Sequence, residues 1–429
     1  MTSPGFGLPD VRATTAQRER TLGVLGGGQL GRMWVHAAQA AGWRTVVLEP
    51  DAASPAGAAA DEHLCAAYDD PGAWQQLSRR CFAITTEFEN VPADALDALA
   101  TMASIDDDNP TPGRNSLVSP SAAAVRVCQH RAREKAAFVS AGVPCAPHRL
   151  IESDADFADS SALAALLPGI LKTATMGYDG KGQRSVDDIT TLRDAFAGLG
   201  RVPCLLEKKL ALTLELSVIV ARGQDGHCVH LPVQQNLHRD GILALTQVPA
   251  PDVPPETAAA AIAHARSLAA ALGYVGVLCV EFFLLADGRL VANEMAPRPH
   301  NSGHWSLDGC DLSQFELQWR TMTGMPLAPP RQHSAAVMLN LLGDLWWPAD
   351  AVADSTAREP DWASVLALPG VHLHRYGKSE PRRARKMGHL TVTAQTLAQA
   401  RATASEAALR LGLPALPALS VLSVLPARS

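Results

Sequence analysis

The sequence predicts an α/β protein that begins with a doubly wound, parallel sheet and continues as a mixed α+β region. Thr21–Leu25 and Arg44–Leu48 are predicted strands, and Leu30–Ala41 between them is a predicted helix. Strand–helix alternation of this kind is typical of a parallel sheet with helices on both faces. Further along, Val275–Leu285 and Leu290–Ala296 are apolar runs joined by a short turn, which predicts an antiparallel hairpin.

Length and composition are typical of a chain with about three compact domains. The chain has 429 residues, of which 47% are hydrophobic and 19% charged. This composition supports sizeable cores and excludes disorder for most of the chain. The net charge of −6 argues against bulk binding to nucleic acid or to an anionic membrane.

Cysteine usage and the first residues indicate a cytoplasmic protein. The eight cysteines are scattered without a Cys-x-x-Cys pair, so neither a disulfide framework nor a cysteine zinc site is expected. Residues 1–20 lack the apolar core of a signal peptide and are expected to be a flexible extension. Glu281 and two glycines interrupt the most apolar stretch, Ala269–Ala286, which favours a buried strand over a membrane span.

Two segments rich in turn-forming residues, Asn109–Pro120 and Leu327–Gln332, mark the predicted domain boundaries. They divide the chain into the extension at 1–20, a Rossmann-like domain at 21–120, a central domain at 121–330 and a small mixed domain at 331–429. Ser121–Ala141 and the alanine-rich Pro255–Leu272 are predicted helices. The remaining predicted strands are Phe82–Thr85, Gly169–Thr173, Arg184–Val186, Cys204–Glu207, Leu214–Ala221, Val337–Leu342, Val371–Tyr376 and Gly388–Val392.

A glycine loop, Gly26-Gly27-Gly28-Gln29-Leu30-Gly31, lies between the first predicted strand and helix, and Glu49 ends the next strand. The G-x-G-x-x-G spacing lets a phosphate approach the positive N-terminus of a helix, as in dinucleotide-binding proteins. The same glycines also make a tight turn without any ligand. A dehydrogenase needs a nicotinamide site elsewhere, and the sequence offers no convincing candidate, whereas another phosphate or ribose ligand stays open.

The predicted hairpin brings two glutamates together. If Asp287-Gly288 is a two-residue turn, Glu281 and Glu294 lie directly opposite on one face, with Cβ atoms ~5 Å apart. Carboxylates this close repel unless one is protonated or a cation bridges them, and oxygen ligands favour magnesium or manganese. The alternative is a chance pair on a solvated face. Apolar residues predicted on the same face argue against it, namely Cys279, Phe283 and Ala292.

Two further features indicate phosphate binding. Lys172 ends a predicted strand and is followed by the glycine-rich loop Gly177-Tyr178-Asp179-Gly180-Lys181-Gly182-Gln183. Backbone N–H groups and a lysine in such a loop can fold over phosphates. The loop lacks Walker A spacing, and the alternative is a flexible hairpin tip.

A cluster of basic residues lies near the C-terminus of this acidic chain. It suits a small phosphorylated substrate, and the alternative is a sheet edge guarded by charges. Sparse aromatic residues make nucleic acid a weaker candidate. The cluster comprises Arg375, Lys378, Arg382, Arg383, Arg385 and Lys386, with His372, His374 and His389 around it.

Several stretches in the right order resemble the ATP-grasp enzymes, and among them the ligases that carboxylate an aminoimidazole ribonucleotide. The resemblance runs from about Thr21 to Thr393. It implies an ATP-grasp domain with a lid at about 145–222, preceded by a Rossmann-like pre-ATP-grasp domain and followed by a small mixed domain. The matching stretches are Gly26–Met33, Thr86–Val91, Gly177–Gln183, Asn236–Ile242, Asn293–Trp305 and Tyr376–His389.

The resemblance implies a role for individual residues. For ATP and its Mg²⁺ (or Mn²⁺), they are Arg131, Lys172 and loop 177–183 on the phosphates, Glu207, Lys208, Lys209 and Leu210 on the adenine, Glu215 on the ribose, His238 and Asn293 beside them, and Glu281 and Glu294 on the metal. For the ribonucleotide they are Gln29, Leu30, Glu87, Asn301, Lys378, Arg385 and Lys386. For bicarbonate and the transferred phosphate they are Arg298, His300, Ser302 and His304, with Tyr178 and Asp179 for proton transfer.

The implied reaction joins bicarbonate to the amine of 5-aminoimidazole ribonucleotide, with ATP cleaved to ADP and phosphate through carboxyphosphate. This is a carbon–nitrogen ligation of purine (IMP) biosynthesis, and the family suggests a homodimer. Two departures stand out, because Met176 and Ala384 occupy positions where the family often has glycine. The competing interpretations are a sibling ligase that uses formate and glycinamide ribonucleotide, and an NAD-binding oxidoreductase or nucleotide sensor.

Overall fold

The first five strands form a parallel sheet in the spatial order β3-β2-β1-β4-β5. A computed structural model describes residues 20–102, 117–177, 182–347 and 356–417 of the chain. The predicted doubly wound N-terminal sheet is confirmed. Its elements are β1 (Thr21–Leu25), α1 (Gln29–Ala40), β2 (Arg44–Leu48), β3 (Glu62–Leu64), α2 (Pro71–Arg80), β4 (Ala83–Thr86), α3 (Ala93–Met102) and β5 (Leu117–Val118).

Burial explains why β1 lies at the centre of this sheet. All five of its residues are buried, because helices cover both faces. Leu22 and Val24 pack with Trp34 of α1 on one face, whereas Leu25 packs with Leu77 of α2 on the other. A strand covered on both faces is apolar along its whole length, which is the pattern that the sequence shows.

A second, antiparallel sheet has the order β6-β9-β7-β8. One side of it is filled by an apolar cluster that includes Phe157, Leu171, Phe196 and Leu206. The elements of this part of the chain are α4 (Ala122–Cys128), α5 (Arg131–Ser140), β6 (His148–Ile151), α6 (Ser160–Ala164), β7 (Gly169–Thr173), β8 (Gln183–Val186), α7 (Ile189–Gly198) and β9 (Cys204–Lys208).

The prediction of one helix over Ser121–Ala141 was wrong, because the chain breaks between α4 and α5. His130 has an extended backbone, with φ −134° and ψ 110°. The side chain of Gln129 donates hydrogen bonds of 2.8 and 2.7 Å to the backbone carbonyls of Glu89 and Val91. These tertiary bonds hold the break against the first domain, and helical periodicity alone does not reveal them.

The largest sheet is antiparallel and runs in the order β15-β14-β10-β12-β13-β16-β18-β17, with β11 paired to β10. The C-terminal strands extend the central sheet, because β13 pairs directly with β16. The elements are β10 (Leu212–Arg222), β11 (Cys228–His230), β12 (Gln234–Arg239), β13 (Ile242–Val248), α8 (Pro255–Ala271), β14 (Gly276–Leu285), β15 (Leu290–Ala296), α9 (Ser306–Gly309), α10 (Gln314–Thr323), β16 (Ala335–Leu342), α11 (Trp362–Leu366), β17 (Val371–Arg375), β18 (Lys386–Ala394) and α12 (Leu397–Leu411).

The β14–β15 hairpin pairs Glu281 with Glu294, as predicted, but by a different route. The amide of Leu285 donates to the carbonyl of Arg289 at 2.9 Å, so the turn has three residues where two were predicted. A β-bulge at Glu281/Phe282 then shifts the register by one residue and restores the predicted pair.

The bulge also changes which residues share a face with the two acids. Ala292 was predicted beside Glu281, and this was wrong. Ala292 pairs with Phe282 across the strands, and both pack into the core beneath α8. The one-residue shift moves Ala292 to the opposite face because side chains alternate along a strand.

The amides of the glycine loop have carboxylate partners inside the protein. Gly27 donates to Glu49 at 2.7 Å, and Gly28 and Gly31 donate to the two oxygens of Glu87 at 2.8 and 2.9 Å. Two glutamates therefore occupy the positive helix N-terminus that a dinucleotide phosphate would use. This arrangement disfavours the dehydrogenase interpretation.

Within the described ranges, none of the helices is long and apolar enough to cross a bilayer.

The close approach at Gly27 predicts that Gly27→Ala destabilises the first domain. A Cβ at this position would lie 2.3 Å from Cγ of Glu49 and 2.6 Å from Cβ of Ser54. Overpacking of this kind costs about 1–3 kcal/mol in the free energy of unfolding, measured by urea denaturation. The matched control is Gly198→Ala, where no atom lies within 4 Å. A Gly27→Ala protein as stable as the control contradicts the prediction.

Candidate active site

A cavity of about 700 Å³ opens where the parallel sheet, the central hairpin and the C-terminal strands meet. Its walls bring together predicted residues that are far apart in sequence. Those that line it are Gln29, Leu30, Glu87, Arg131, Gly177, Glu294, Arg298, His300, Asn301, His304, Lys378, Arg385 and Lys386.

Other predicted residues lie outside that wall or outside the described ranges. The predicted residues outside the described ranges are Tyr178, Asp179, Gly180 and Lys181. The described ones that do not line the cavity are Lys172, Gly182, Gln183, Glu207, Lys208, Lys209, Leu210, Glu215, His238, Glu281, Asn293 and Ser302. Three of these residues adjoin lining residues, because Glu281 and Ser302 contact His300 and Asn293 precedes Glu294 in the chain.

The acidic pair has a cation and an imidazole as neighbours. Arg131 lies 3.3 Å from an oxygen of Glu294, and Nε2 of His300 lies 3.2 Å from an oxygen of Glu281. Burial raises the pKa of Glu281 to about 7; the His238 charge opposes the rise and Glu294 adds to it. Two carboxylates in this setting form an oxygen-donor site that a divalent cation would stabilise.

His238 and Glu215 form a second pair beside these acids. They face each other from β12 and β10, and Nδ1 of His238 is in hydrogen-bond contact with a Glu215 oxygen. Burial alone would lower the pKa of His238, but the hydrogen bond and charge of Glu215 raise it to about 9. The imidazole is therefore a cation at neutral pH, which offsets part of the negative charge of the glutamates.

Lys172 is held by a buried ion pair with Glu207, which was not predicted from the sequence. Its Nζ lies 2.9 Å from one oxygen of Glu207, and Nζ of Lys135 lies 3.3 Å from the other. Burial alone would raise the pKa of Glu207, but the two lysines lower it to about 2. Lys135 was missed because its position in an ordinary amphipathic helix gives no sequence signal.

Lys135 and its neighbour Glu134 also hold β15. The Lys135 ammonium donates to the carbonyl of Asn293 at 2.7 Å. A Glu134 oxygen accepts from the amide of Met295 at 2.6 Å. Both bonds reach the residues that flank Glu294, so α5 fixes the backbone on either side of that carboxylate.

Arg298 connects the central sheet to the parallel sheet. Its Nε donates to Glu89 at 2.5 Å. Burial would raise the pKa of Glu89, but the guanidinium lowers it. The Glu89 partner was not predicted, although it lies two residues after the predicted Glu87, in the same matching stretch.

In the segment that follows β15, some side chains line the cavity and others are buried behind it. Asn301 lines the cavity, and neither its amide nitrogen nor its oxygen has a partner among the described residues. Ser302 is fully buried, and its hydroxyl contacts Nδ1 of His300 at 2.9 Å and the hydroxyl of Ser217 at 2.8 Å. Ser302 therefore contacts the Nδ1 side of the His300 ring and does not itself line the cavity.

Gln314 of α10 determines which ring nitrogen of His304 carries the proton. The side-chain oxygen of Gln314, Oε1, accepts from the backbone amide of His300 at 2.8 Å. This bond identifies the other end of the side-chain amide as the nitrogen Nε2. That Nε2 donates to the His300 carbonyl at 2.7 Å and to Nδ1 of His304 at 3.0 Å. His304 therefore carries its proton on Nε2, and burial holds its pKa well below 6.5. Gln314 gave no motif signal because it acts only through folded-state contacts.

The basic wall is formed by the segment between β17 and β18. Nζ of Lys378 donates to the carbonyl of Lys386 at 2.7 Å, and Arg385 donates to the carbonyl of Glu380 at 2.9 Å. Ala384 beside them has φ 61°, and Met176 on another wall also has φ 61°. Both departures from family glycines thus fall at left-handed backbone positions, which cost a non-glycine residue roughly 1–2 kcal/mol.

Family models match three successive parts of the chain. They describe a ribonucleotide synthetase preATP-grasp domain at residues 19–129, an ATP-grasp domain at 136–315 and a phosphoribosylaminoimidazole carboxylase C-terminal domain at 336–403. An N5-carboxyaminoimidazole ribonucleotide synthase from Brucella melitensis biotype 1 is 42% identical over 382 residues, which cover 88% of this chain and 97% of that protein. The chain belongs to the N5-carboxyaminoimidazole ribonucleotide synthase family.

Solved structures of N5-carboxyaminoimidazole ribonucleotide synthases share this fold. An ADP complex of one such synthetase is 36% identical, with a TM-score of 0.80 and coverage of 91% of this chain and 96% of that one. A synthase from Aspergillus clavatus, in complex with ADP and 5-aminoimidazole ribonucleotide, is 30% identical, with a TM-score of 0.77 and coverage of 92% and 99%. The chain is an ATP-grasp ligase, and the sequence-based family assignment is confirmed.

Because Glu207 neutralises two buried lysines, we expect Glu207→Gln to lower the free energy of unfolding by about 3–5 kcal/mol. The pKa of Glu207 lies at about 2, below its usual 4.5. Its stabilisation is therefore present above pH 4.5 and is lost as the pH falls toward 2. Urea denaturation of both proteins should show the difference between them shrinking across that interval.

The matched control for Glu207→Gln is Lys209→Gln, which changes an exposed side chain two residues away. This control should change the free energy of unfolding by less than about 0.5 kcal/mol. Equal stability of the two variants at neutral pH would be evidence against the buried ion cluster.

Replacement of the Gln314 amide by a carboxylate, Gln314→Glu, should reverse the protonation of His304. A carboxylate cannot donate to Nδ1, so His304 gains a proton there and its pKa, which burial now holds low, rises. Nitrogen-15 NMR of the histidine rings across a pH titration measures both the tautomer and the pKa. Gln224→Glu, an exposed position, is the control. An unchanged His304 signal refutes the tautomer assignment.

Proposed function

We propose that this chain condenses bicarbonate with the amine of 5-aminoimidazole ribonucleotide and cleaves ATP to ADP and phosphate, in a cytoplasmic setting. One observation carries the proposal. The same cavity wall holds cations suited to a sugar phosphate, Lys378, Arg385 and Lys386, and groups suited to a phosphoryl transfer, Arg131 and Arg298. The proposal is also supported by the activity after which the relatives are named, that of N5-carboxyaminoimidazole ribonucleotide synthases.

In this proposal, ATP lies along the β7–β9 side of the cavity. Lys172 and Arg131 bind its phosphates, and segment 207–210 binds the adenine through the backbone that follows β9. Glu215 and His238 face the ribose. The loop 177–183, with Gly177 on the cavity wall and Gly182 and Gln183 at the start of β8, covers the phosphates. Tyr178 and Asp179 stay a sequence-based proposal for proton transfer.

Magnesium is assigned to Glu281 and Glu294, with Mn²⁺ as a substitute. Their pairing across β14 and β15 and the raised pKa of Glu281 fit a cation that would share the two carboxylates. Bound there with ATP, a magnesium ion would supply positive charge that offsets the charge on the phosphate oxygens. Arg131 keeps one oxygen of Glu294 oriented toward the cavity, and Asn293 lies at the bulge beside it.

The ribonucleotide is proposed to bind with its phosphate on the basic wall of Lys378, Arg385 and Lys386. Asn301 has an unpartnered buried amide that faces the same cavity, as noted above, and an amide can both donate to and accept from a polar base. Gln29, Leu30 and Glu87 line the opposite wall. Glu87 accepts from two loop amides, which fixes its carboxylate at the helix N-terminus.

Bicarbonate is a poor electrophile because its negative charge and hydroxide leaving group oppose attack. Its oxygen attacks the γ-phosphorus of ATP, the bond to ADP breaks, and carboxyphosphate forms. The amine nitrogen then attacks the carboxyl carbon, and phosphate leaves. Arg298 and the Nε2–H of His304 are placed to stabilise the developing oxyanions. Burial and Arg298 lower the pKa of His300, so its ring is neutral. Its Nδ1 accepts from the backbone amide of Ser302, so its Nε2 carries the proton and lies toward Glu281. The departing phosphate takes the amine proton.

The family also suggests a homodimer, which we propose for this chain. Light scattering after size-exclusion chromatography measures the mass directly, and a monomer mass of 45.3 kDa would overturn this part.

The decisive assay measures ADP release with magnesium and bicarbonate, with and without 5-aminoimidazole ribonucleotide. We expect strong stimulation by the ribonucleotide in the native chain and loss of turnover in Glu294→Ala. Arg331→Ala, an exposed position away from the cavity, is the control and should keep full activity. Turnover with formate and glycinamide ribonucleotide would move the chain to the sibling ligase, and full activity of Glu294→Ala would refute the metal assignment.

A further inference from the structure

A cluster of histidines lies behind the cavity wall, among residues that the sequence analysis assigned only to the surroundings of the basic cluster. His372 and His374 are two residues apart on the edge strand β17, so they face the same side of the sheet. His389 lies directly opposite His374 on β18. Asp308 of α9 contacts His372 and His374 on the same face of the sheet. These four residues are here called the histidine site.

The ligand atoms of this site already lie close together. One ligand atom each from Asp308, His374 and His389 lies within 4.8 Å of the others. Nε2 of His374 is 2.8 Å from one oxygen of Asp308, and Nδ1 of His372 is 3.6 Å from the other. Ligands of a zinc ion, at ~2.0–2.1 Å from the metal, are roughly 3.3 Å apart in a tetrahedron. The rings of His374 and His389 are stacked, with centroids 4.5 Å apart and 13° between their planes. One of the two rings must therefore rotate before both nitrogens face the same ion.

An independent observation is the set of unpartnered polar atoms at this place. Nε2 of His389 has no partner among the described residues, and His389 is 0% exposed. Two more buried atoms without such a partner belong to neighbours of His389 on the sheet, Oγ1 of Thr391 and Oδ1 of Asn340. Buried polar atoms without partners cost free energy unless a bound group satisfies them.

The second ring nitrogens are held as they are in metal sites. Nδ1 of His389 lies 3.0 Å from the hydroxyl of Tyr376, and Nε2 of His372 lies 3.1 Å from the hydroxyl of Thr393. Metal-ligating histidines usually make such a bond through the nitrogen that does not bind the metal, because it fixes the tautomer and the ring orientation. Nδ1 of His372 then lies toward Asp308, and Nε2 of His389 is left without a partner among the described residues.

We propose that Asp308, His372, His374 and His389 form a binding site for a divalent transition-metal ion of the zinc class. Three imidazoles and one carboxylate favour zinc, cobalt or nickel over magnesium, which prefers oxygen ligands. His372 is exposed at 43% of its side chain, which gives the ion an entry path along the sheet edge. The site is separate from the Glu281–Glu294 pair, yet the His389 ring contacts that of His304 on the cavity wall, with ring centroids 4.9 Å apart and 35° between the planes.

The test uses the full-length chain after treatment with a chelator and removal of that chelator. Cobalt(II) is titrated and followed by its visible absorption, and zinc(II) is then added to displace it. We expect one equivalent of cobalt with an absorption typical of four-coordinate geometry, and its loss on addition of zinc. Affinity should fall at least about tenfold in His374→Asn and in His372→Asn.

Two controls separate this site from others in the chain. His333→Asn changes an exposed histidine elsewhere, and Glu281→Gln removes a carboxylate of the proposed magnesium site. Both should bind cobalt as the native chain does. Circular dichroism and the melting temperature without metal show that His374→Asn is folded. Zinc should raise the melting temperature of the native chain and of both controls, but not that of His374→Asn.

Two results would overturn the proposal. One is the absence of cobalt binding by the folded native chain. The other is binding that survives in both histidine variants but disappears in Glu281→Gln.

Discussion

The buried charges around the cavity impose the constraint on which the rest of the structure depends. Seven glutamates from four separate parts of the chain lie in or next to one cavity. All but Glu294, whose side chain is 43% exposed, are largely withdrawn from water, and an uncompensated buried carboxylate is too costly to persist. Each therefore needs a cation, an imidazole or a backbone amide, and that partner comes from a different element. The glutamates are Glu87, Glu89, Glu134, Glu207, Glu215, Glu281 and Glu294.

These partnerships join the sheets to one another. Arg298 at the end of the central hairpin pairs with Glu89 after the parallel sheet. Lys135 of α5 joins the carboxylate on β9 to the backbone of β15. Charge compensation therefore also fixes the relative positions of the sheets around the proposed substrate cavity. The two carboxylates that face each other across the hairpin, Glu281 and Glu294, are the ones proposed to take a metal ion.

Much of the fold, and the acidic pair of the candidate site, was predictable from local sequence. The parallel sheet, the hairpin and the pairing of the two acids follow from apolar periodicity and turn residues, which act over a few neighbours. The same reasoning failed where a distant contact decided the outcome. The break between α4 and α5 depends on Gln129 bonding to another domain. The turn at Asp287 was predicted one residue too short, and a bulge compensated for the error.

By itself, the sequence determined the family, the order of the domains and the residue types available for phosphate and metal. Motifs such as Asn293–Trp305 specify those residues locally, so they can be recognised without a fold. Only the tertiary structure decided which partner each residue has. It assigned the loop amides to Glu87, the buried Lys135 to Glu207 and the proton of His304 to Nε2 through Gln314. The reason is physical: protonation and ion pairing depend on distance and burial, which are set by elements that sequence order keeps far apart.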